Sequence, residues 1–331
     1  MNKQTTSLQH NLFGIIRRTI PTHTTLAKSV AEVLCITADA AYKKINGSRS
    51  LDLEEAGRLV RAFKIKMADL DEVNESEKIS FHFAPIGKNG LTFKDYLISI
   101  RDNLASVKRN GILNITYSAK EIPMFYNFMF PELGAFKAFV WQKTLLNNPE
   151  FKATKFDPED QDQELIDIGL EIYNAYCHIH SHEIWNYETV NCTLRQFEFC
   201  RDAGYFKNDA TYNFLLEQYR SMVEHIELQC LESTKINRYT NDYLSPFDLY
   251  NNELILGDNT VLLAFDSHDM VFVTPNSINS LVTSDRILTD YVRSNLRSLI
   301  AKSVHLNHET EKLSKPFFNE LYANINRFQK P

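Results

Sequence analysis

The chain has 331 residues, of which 44% are hydrophobic and 24% charged, and its formal net charge is −6. This is the composition of an ordinary globular protein, and the length favours two or three domains. The sequence contains no run of about 18 apolar residues and no apolar stretch behind its polar N-terminus. We therefore expect no membrane span and no signal peptide, and a cytoplasmic location.

Charge is distributed unevenly along the chain. Residues 1–70 contain eleven Lys and Arg against six Asp and Glu, a net charge of +5, which leaves −11 for the remainder. We call residues 1–70 the head and the remainder the body. A basic head is typical of a segment that binds phosphates, although chance segregation of charge would give the same pattern. The five cysteines are odd in number and form no CxxC pair, so we expect reduced thiols.

Helical patterns follow one another through the basic head. Apolar spacing predicts a first helix over Leu8–Ile20 and a second over Leu26–Leu34. Thr37 can cap a third helix, which ends where Asn46–Gly47 tolerate a positive φ. Asp52 can cap a fourth helix. Four or five short helices would make a complete small domain.

The arrangement of these signals resembles a known DNA-binding family. Ala31, the polar start at Thr37, the end at Asn46–Gly47 and the segment 48–53 are similar to the phage-repressor, Cro-like (XRE-family) helix-turn-helix domain. The resemblance covers residues 8–70. It implies a lambda-repressor-like fold of four or five helices over residues 1–70, which binds double-stranded DNA.

The resemblance also implies which side chains contact DNA. The outward positions of the third helix, which contact base edges in the family, are Ala38, Asp39, Tyr42 and Lys43. The implied phosphate contacts are Lys28, Lys44, Ser48 and Arg49. Asp39 has two open interpretations, as a residue that stabilises the helix start and as a base contact that accepts a hydrogen bond. The family usually has glycine where this chain has Cys35.

The remainder of the chain predicts a mainly α protein. Residues 71–78 are charged and lack periodicity, which indicates a linker. Residues 79–331 predict an α-rich domain for dimerisation and sensing, with a small antiparallel β element of hairpins over 254–274. The aromatic-rich segment 123–146 favours a buried core or dimer helix over a ligand pocket.

One cluster of side chains could bind a metal ion. Cys177, His180 and His182 are the weak candidates, since imidazole and thiolate are zinc ligands. Their spacing matches no zinc pattern, and Ser181 could instead cap a helix that begins near Trp185, so we expect no metal and no cofactor. The sequence contains no GxSxG, HExxH, GxxxxGK[ST] or GxGxxG motif. We therefore expect no enzymatic activity.

These observations favour a sequence-specific, repressor-like transcription regulator. A homodimer is expected because one small head buries too little surface for tight specific binding. A small-molecule or protein effector could act on the body. The alternative is a helical protein-interaction module attached to a ligand-binding or enzymatic body.

Overall fold

The computed structural model describes residues 8–20, 24–65, 79–87, 90–105, 112–160, 162–254, 257–265, 268–274 and 278–329. The chain divides into two compact units, Met1–Ile79 and Ser80–Pro331. The predicted linker, residues 71–78, lies outside the described residues. Within them, no helix is both long enough and apolar enough to cross a bilayer.

Unit 1 is helical in its described part. Its helices are α1 (Leu8–Thr19), α2 (Leu26–Leu34), α3 (Ala38–Ile45) and α4 (Leu53–Ala62). Each helix contributes to one small core, made of the following buried side chains: Leu12, Phe13, Ile16, Val30, Ala31, Leu34, Ala41, Leu59 and Ile65. Burial of these apolar faces holds together helices that are too short to be stable alone.

Unit 2 contains a mixed sheet with helices on both faces. Its strands are β1 (His82–Phe83), β2 (Ile112–Ser118), β3 (Ser181–Trp185), β4 (Thr234–Ile236), β5 (Tyr243–Asn251), β6 (Thr260–Phe265), β7 (Asp269–Val273), β8 (Leu281–Thr283) and β9 (Val304–Leu306). Its helices are α5 (Phe93–Ala105), α6 (Pro131–Val140), α7 (Gln163–Cys177), α8 (Asn191–Asp202), α9 (Ala210–Leu231), α10 (Arg286–Ala301) and α11 (Glu311–Arg327).

The sheet is parallel at its centre and antiparallel at its edges. Its strand order is β1-β8-β7-β6-β2-β3-β5-β4, and β9 also pairs with β5. β2 pairs parallel with β3, and β3 pairs parallel with β5. The crossovers between these strands contain α6 and α7, and then α8 and α9, as a parallel connection requires.

The two faces of the sheet bury different layers. One face, which includes Ile115, Trp185 and Leu249, packs into the large core with α5 to α9 and α11. The other face packs Ile184, Leu262 and Val271 against Val292 and Leu296 of α10. Alternation of side chains along each strand produces this separation.

The predicted fold class is wrong for this unit. In place of a small antiparallel β element, the described residues form a mixed sheet of nine strands. The expectation missed the central parallel strands β3 and β5, and also the short strands β1, β4, β8 and β9. β3 occupies the segment where Ser181 was expected to cap a helix, and α8 begins only at Asn191. The sequence pattern missed β5 because Pro246 and Asp248 interrupt its apolar character.

Candidate functional site

The turn between α2 and α3 is closed by a left-handed residue. Cys35 has φ 57° and ψ 44°, its N–H donates to the Glu32 carbonyl, and the N–H of Ile36 donates to the Ala31 carbonyl at 3.1 Å. This is the Schellman arrangement, in which the left-handed position is usually glycine. Cys35 therefore stands where the resemblance expects glycine and adopts the backbone conformation that favours glycine.

α3 begins with a side-chain cap and is followed by a turn that the Asn46 side chain closes. The Thr37 hydroxyl accepts a hydrogen bond from the Ala40 N–H at 3.3 Å, which satisfies a free donor of the first turn. At the other end, the Asn46 side chain accepts from the Ser48 N–H at 3.0 Å, and Gly47 follows with φ 80°. The short helix therefore has defined limits, which fixes the direction of its outward side chains.

The predicted base-contacting residues share one exposed face of α3. Ala38, Asp39, Tyr42 and Lys43 are all exposed, while Ala41 on the opposite side is fully buried. Tyr42 is 60% exposed despite its large apolar ring. Lys43 Nζ lies 2.8 Å from the Asp39 carboxylate, as expected of an i,i+4 pair on a helix.

The predicted phosphate-contacting residues fall into two groups. Lys28, Ser48 and Arg49 are exposed. Lys44 is buried, with its side chain only 5% exposed, and its ammonium donates to the Ser50 carbonyl at 3.0 Å and pairs with Glu55 at 2.7 Å. The prediction that Lys44 contacts phosphate is therefore not supported, because its buried ammonium is paired with Glu55 inside the unit.

Gln9 and Glu55 support this surface, and the sequence reasoning missed both. Gln9 donates to the carbonyls of Lys44 and Arg49 and accepts from the Leu51 N–H, so it fixes the segment after α3. Glu55 completes a capping box with Asp52. The box was visible in the sequence as an Asp followed three residues later by Glu. Gln9 could not be found in this way, because its hydrogen-bond partners lie 35 to 42 residues away in the sequence.

In unit 2, the structure separates the weak metal candidates. His180 immediately precedes β3 and His182 lies within it, so both face the same side of the sheet at 4.4 Å between ring centroids. Cys177 is buried at the end of α7 in the large core on the other face. Cys177 therefore does not join the two imidazoles.

Two further residues complete a His–Asp cluster, which we define as His180, His182, Asp248 and His305. Asp248 of β5 is the register partner of His182, and His305 of β9 pairs with the neighbouring Tyr250. One Asp248 oxygen lies 2.9 Å from His180 Nε2 and 3.2 Å from His182 Nδ1. The other lies 3.1 Å from His305 Nε2. The sequence could not find this cluster, because three separated strands bring it together.

The carboxylate of the His–Asp cluster is held in its charged form. Burial alone raises the pKa of Asp248, but the adjacent imidazoles of His180, His182 and His305 outweigh burial and hold that pKa below its usual range. The four side chains are 22% to 37% exposed. The cluster is thus an anionic centre surrounded by imidazoles, and it is open to solvent on one side.

A separate cavity of about 470 Å³ lies between α5 and the large-core face of the sheet. Its walls are mainly apolar and include Tyr96, Tyr117, Phe125 and Trp141. The aromatic-rich segment was predicted to be core, and Met124 and Trp141 of that segment both pack in the core and line this cavity.

No protein-family model matches the chain, and neither the curated proteins nor the solved structures compared with it gave a match.

Proposed function

We propose that the chain is a sequence-specific DNA-binding transcription regulator that acts as a homodimer in the cytoplasm. The observation that carries this proposal is the outward face of α3. A capped helix that follows a tight turn offers Ala38, Asp39, Tyr42 and Lys43 to solvent together. The major groove admits one α-helix, and its base edges offer both donors and acceptors to such side chains.

Charge on unit 1 supports an anionic partner. Residues 1–70 have a net charge of +5, and the whole of unit 1, Met1–Ile79, has +2. Lys28 of α2 and Arg49, shortly after α3, are both exposed. The Asp39–Lys43 pair is well exposed, at 74% and 57% for the two side chains. Such surface pairs are worth at most about 1 kcal/mol. DNA can therefore separate them at little cost, so that Lys43 donates to a base edge and Asp39 accepts from a cytosine amino group.

The homodimer follows from the size of the head. A single small module contacts few base pairs, whereas two modules on half-sites about 34 Å apart add their contacts. The 252 residues of unit 2, Ser80–Pro331, are the part of the chain available for the two-fold contact. Repression or activation would then depend on how that contact positions the two heads.

The cavity of unit 2 supports a small-molecule effector. Its volume of about 470 Å³ lies in the range of ligand sites. The lining of the cavity is mainly apolar, so the effector would be a largely apolar molecule.

Fluorescence anisotropy with labelled random duplex DNA tests the proposal. We expect the protein to bind this DNA. A plot of the logarithm of the affinity against the logarithm of the salt concentration should have a negative slope of several units, because binding releases counterions. Arg49→Ala should lower that slope by about 0.9, the value of one phosphate contact. Arg58→Ala is the matched control, since it removes an exposed arginine from α4 with the same change in charge. Its slope should equal that of the unmodified protein.

Two outcomes would contradict the proposal. Absence of binding even at low salt would favour the alternative, a helical module that docks on another protein. Equal effects of Arg49→Ala and Arg58→Ala would show that DNA responds to net charge and does not contact the α3 surface.

A further inference from the structure

The His–Asp cluster has the composition of a metal site. Two imidazole nitrogens and one carboxylate oxygen, one from each of His180, His182 and Asp248, lie within 4.8 Å of one another. Two histidines and one carboxylate bind Zn²⁺ in hydrolytic sites and Fe²⁺ in oxygenase sites. Imidazole ligands disfavour Mg²⁺ and Ca²⁺, which prefer all-oxygen sites.

The strands hold these ligands in place. His180 and His182 are two residues apart on an extended segment, so both point to the same side of the sheet. Asp248 is fixed opposite His182 by parallel pairing of β3 and β5. The Tyr250 ring is partly buried on the α10 side of the sheet and is stacked on the His305 ring, at 4.8 Å between ring centroids. Ligands on paired strands need little reorganisation to bind an ion.

Hydrogen bonding within the cluster is incomplete. A single carboxylate faces three imidazoles, and only the His180–Asp248 contact has hydrogen-bond geometry. His182 Nδ1 and His305 Nε2 are buried atoms without a hydrogen-bond partner in the described part of the chain, although each lies near an Asp248 oxygen. Buried polar atoms are normally satisfied, so the unsatisfied nitrogen of His182, one of the three candidate ligands, indicates a further binding partner.

We propose that His180, His182 and Asp248 bind one divalent transition-metal ion of the zinc or ferrous class, and that His305 holds the second oxygen of Asp248. His305 would then act as an outer partner that orients the carboxylate ligand. The partial exposure of the cluster leaves room for water or another small ligand on the ion. This site is independent of the proposed DNA binding, because all four residues belong to unit 2.

The experiment uses full-length, tag-free protein treated with a chelator and then desalted. Titration with Co²⁺, followed by its visible absorption, should show one equivalent bound, and Zn²⁺ should displace it. His182→Ala and Asp248→Asn should each weaken Co²⁺ binding by more than about 100-fold, and His305→Ala by about 10- to 100-fold, the usual loss for an outer partner. His178→Ala is the control, since His178 is exposed, lies only two residues from His180 and is outside the cluster.

Asp248→Asn keeps the shape of the side chain, so it gives the same comparison if His182→Ala does not fold. Circular dichroism of each variant checks this. The proposal is overturned if the unmodified protein binds no stoichiometric Co²⁺ or Zn²⁺, which would make the cluster a network of imidazole–carboxylate contacts only. It is also overturned if folded Asp248→Asn or His182→Ala binds the ion as tightly as the His178→Ala control does.

Discussion

Lys235 of β4 is fully buried, and its charge should make the stability of the protein depend on pH. Its ammonium donates to the Tyr176 carbonyl at 2.9 Å and lies 3.2 Å from the centroid of the Tyr176 ring. Burial lowers the pKa of Lys235 from 10.5 to about 7, while the nearby Glu183 carboxylate opposes the shift. The folded state therefore releases this proton far more readily than the unfolded chain does.

The sign and size of the effect follow from this difference. Between about pH 7 and 10.5 the unfolded chain binds a proton at Lys235 and the folded state does not, so the free energy of unfolding rises with pH. Each pH unit contributes about 1.4 kcal/mol. The whole shift corresponds to a cost on the order of 5 kcal/mol, which is present in full below pH 7 and disappears above pH 10.5.

Urea unfolding of the unmodified protein and of Lys235→Met compares the protein with and without this group. The substitution also removes the charge that lowers the pKa values of Glu183 and Cys177. The free energy of unfolding of the unmodified protein minus that of Lys235→Met should rise by about 2.7 kcal/mol between pH 7.5 and 9.5. A difference that does not change between pH 7.5 and 9.5 would mean that Lys235 keeps its ordinary pKa when folded.

Three further substitutions have predicted effects. Thr37→Ala should destabilise α3 by about 1 kcal/mol through loss of its cap, measured as faster hydrogen exchange of the Ala40 amide. Gly169→Ala should lower the free energy of unfolding by about 1–3 kcal/mol, because the new Cβ would lie 2.7 Å from Phe128 Cδ1. The control Gly257→Ala should leave the free energy of unfolding unchanged, because there is open space at its Cβ. Glu121→Gln should cost about 3–5 kcal/mol in urea unfolding, since it leaves the buried Lys137 ammonium without its charge partner.

Each of these predictions has a contradicting result. Unchanged exchange at Ala40 would show that the Thr37 hydroxyl does not cap α3. Equal stability of Gly169→Ala and Gly257→Ala would mean that Phe128 moves aside freely. A loss below about 1 kcal/mol for Glu121→Gln would place Lys137 in contact with water, contrary to its burial.

The helices were largely predictable from local signals. Apolar spacing and caps are local, and the structure bears out the capping roles of Thr37 and Asp52. The residue positions on α3 could also be predicted, since a helix of known start fixes which side chains point outward. Lys44 shows the limit, because its partner Glu55 lies on the next helix.

The sheet and the His–Asp cluster were not predictable in the same way. β3 contains buried Ser181 and Glu183, whose polarity hides a central strand. The Glu183 carboxylate is satisfied by the hydroxyls of Tyr126 and Tyr176 and by the Trp185 indole, partners that tertiary packing supplies. Asp248 likewise reaches His182 only through strand pairing across 66 residues of sequence. Such long-range contacts leave no periodic trace.

In the proposed function, α3 binds specific DNA sequences as part of a dimer. Selection of bound sequences from a random duplex pool with the full-length protein tests this most directly. We predict enrichment of two related half-sites whose centres are about 10 base pairs apart, and loss of base preference in the half-site for Tyr42→Ala with retained nonspecific binding. A pool that stays random after selection, or an enriched motif that is unchanged by Tyr42→Ala and Asp39→Ala, would contradict the account.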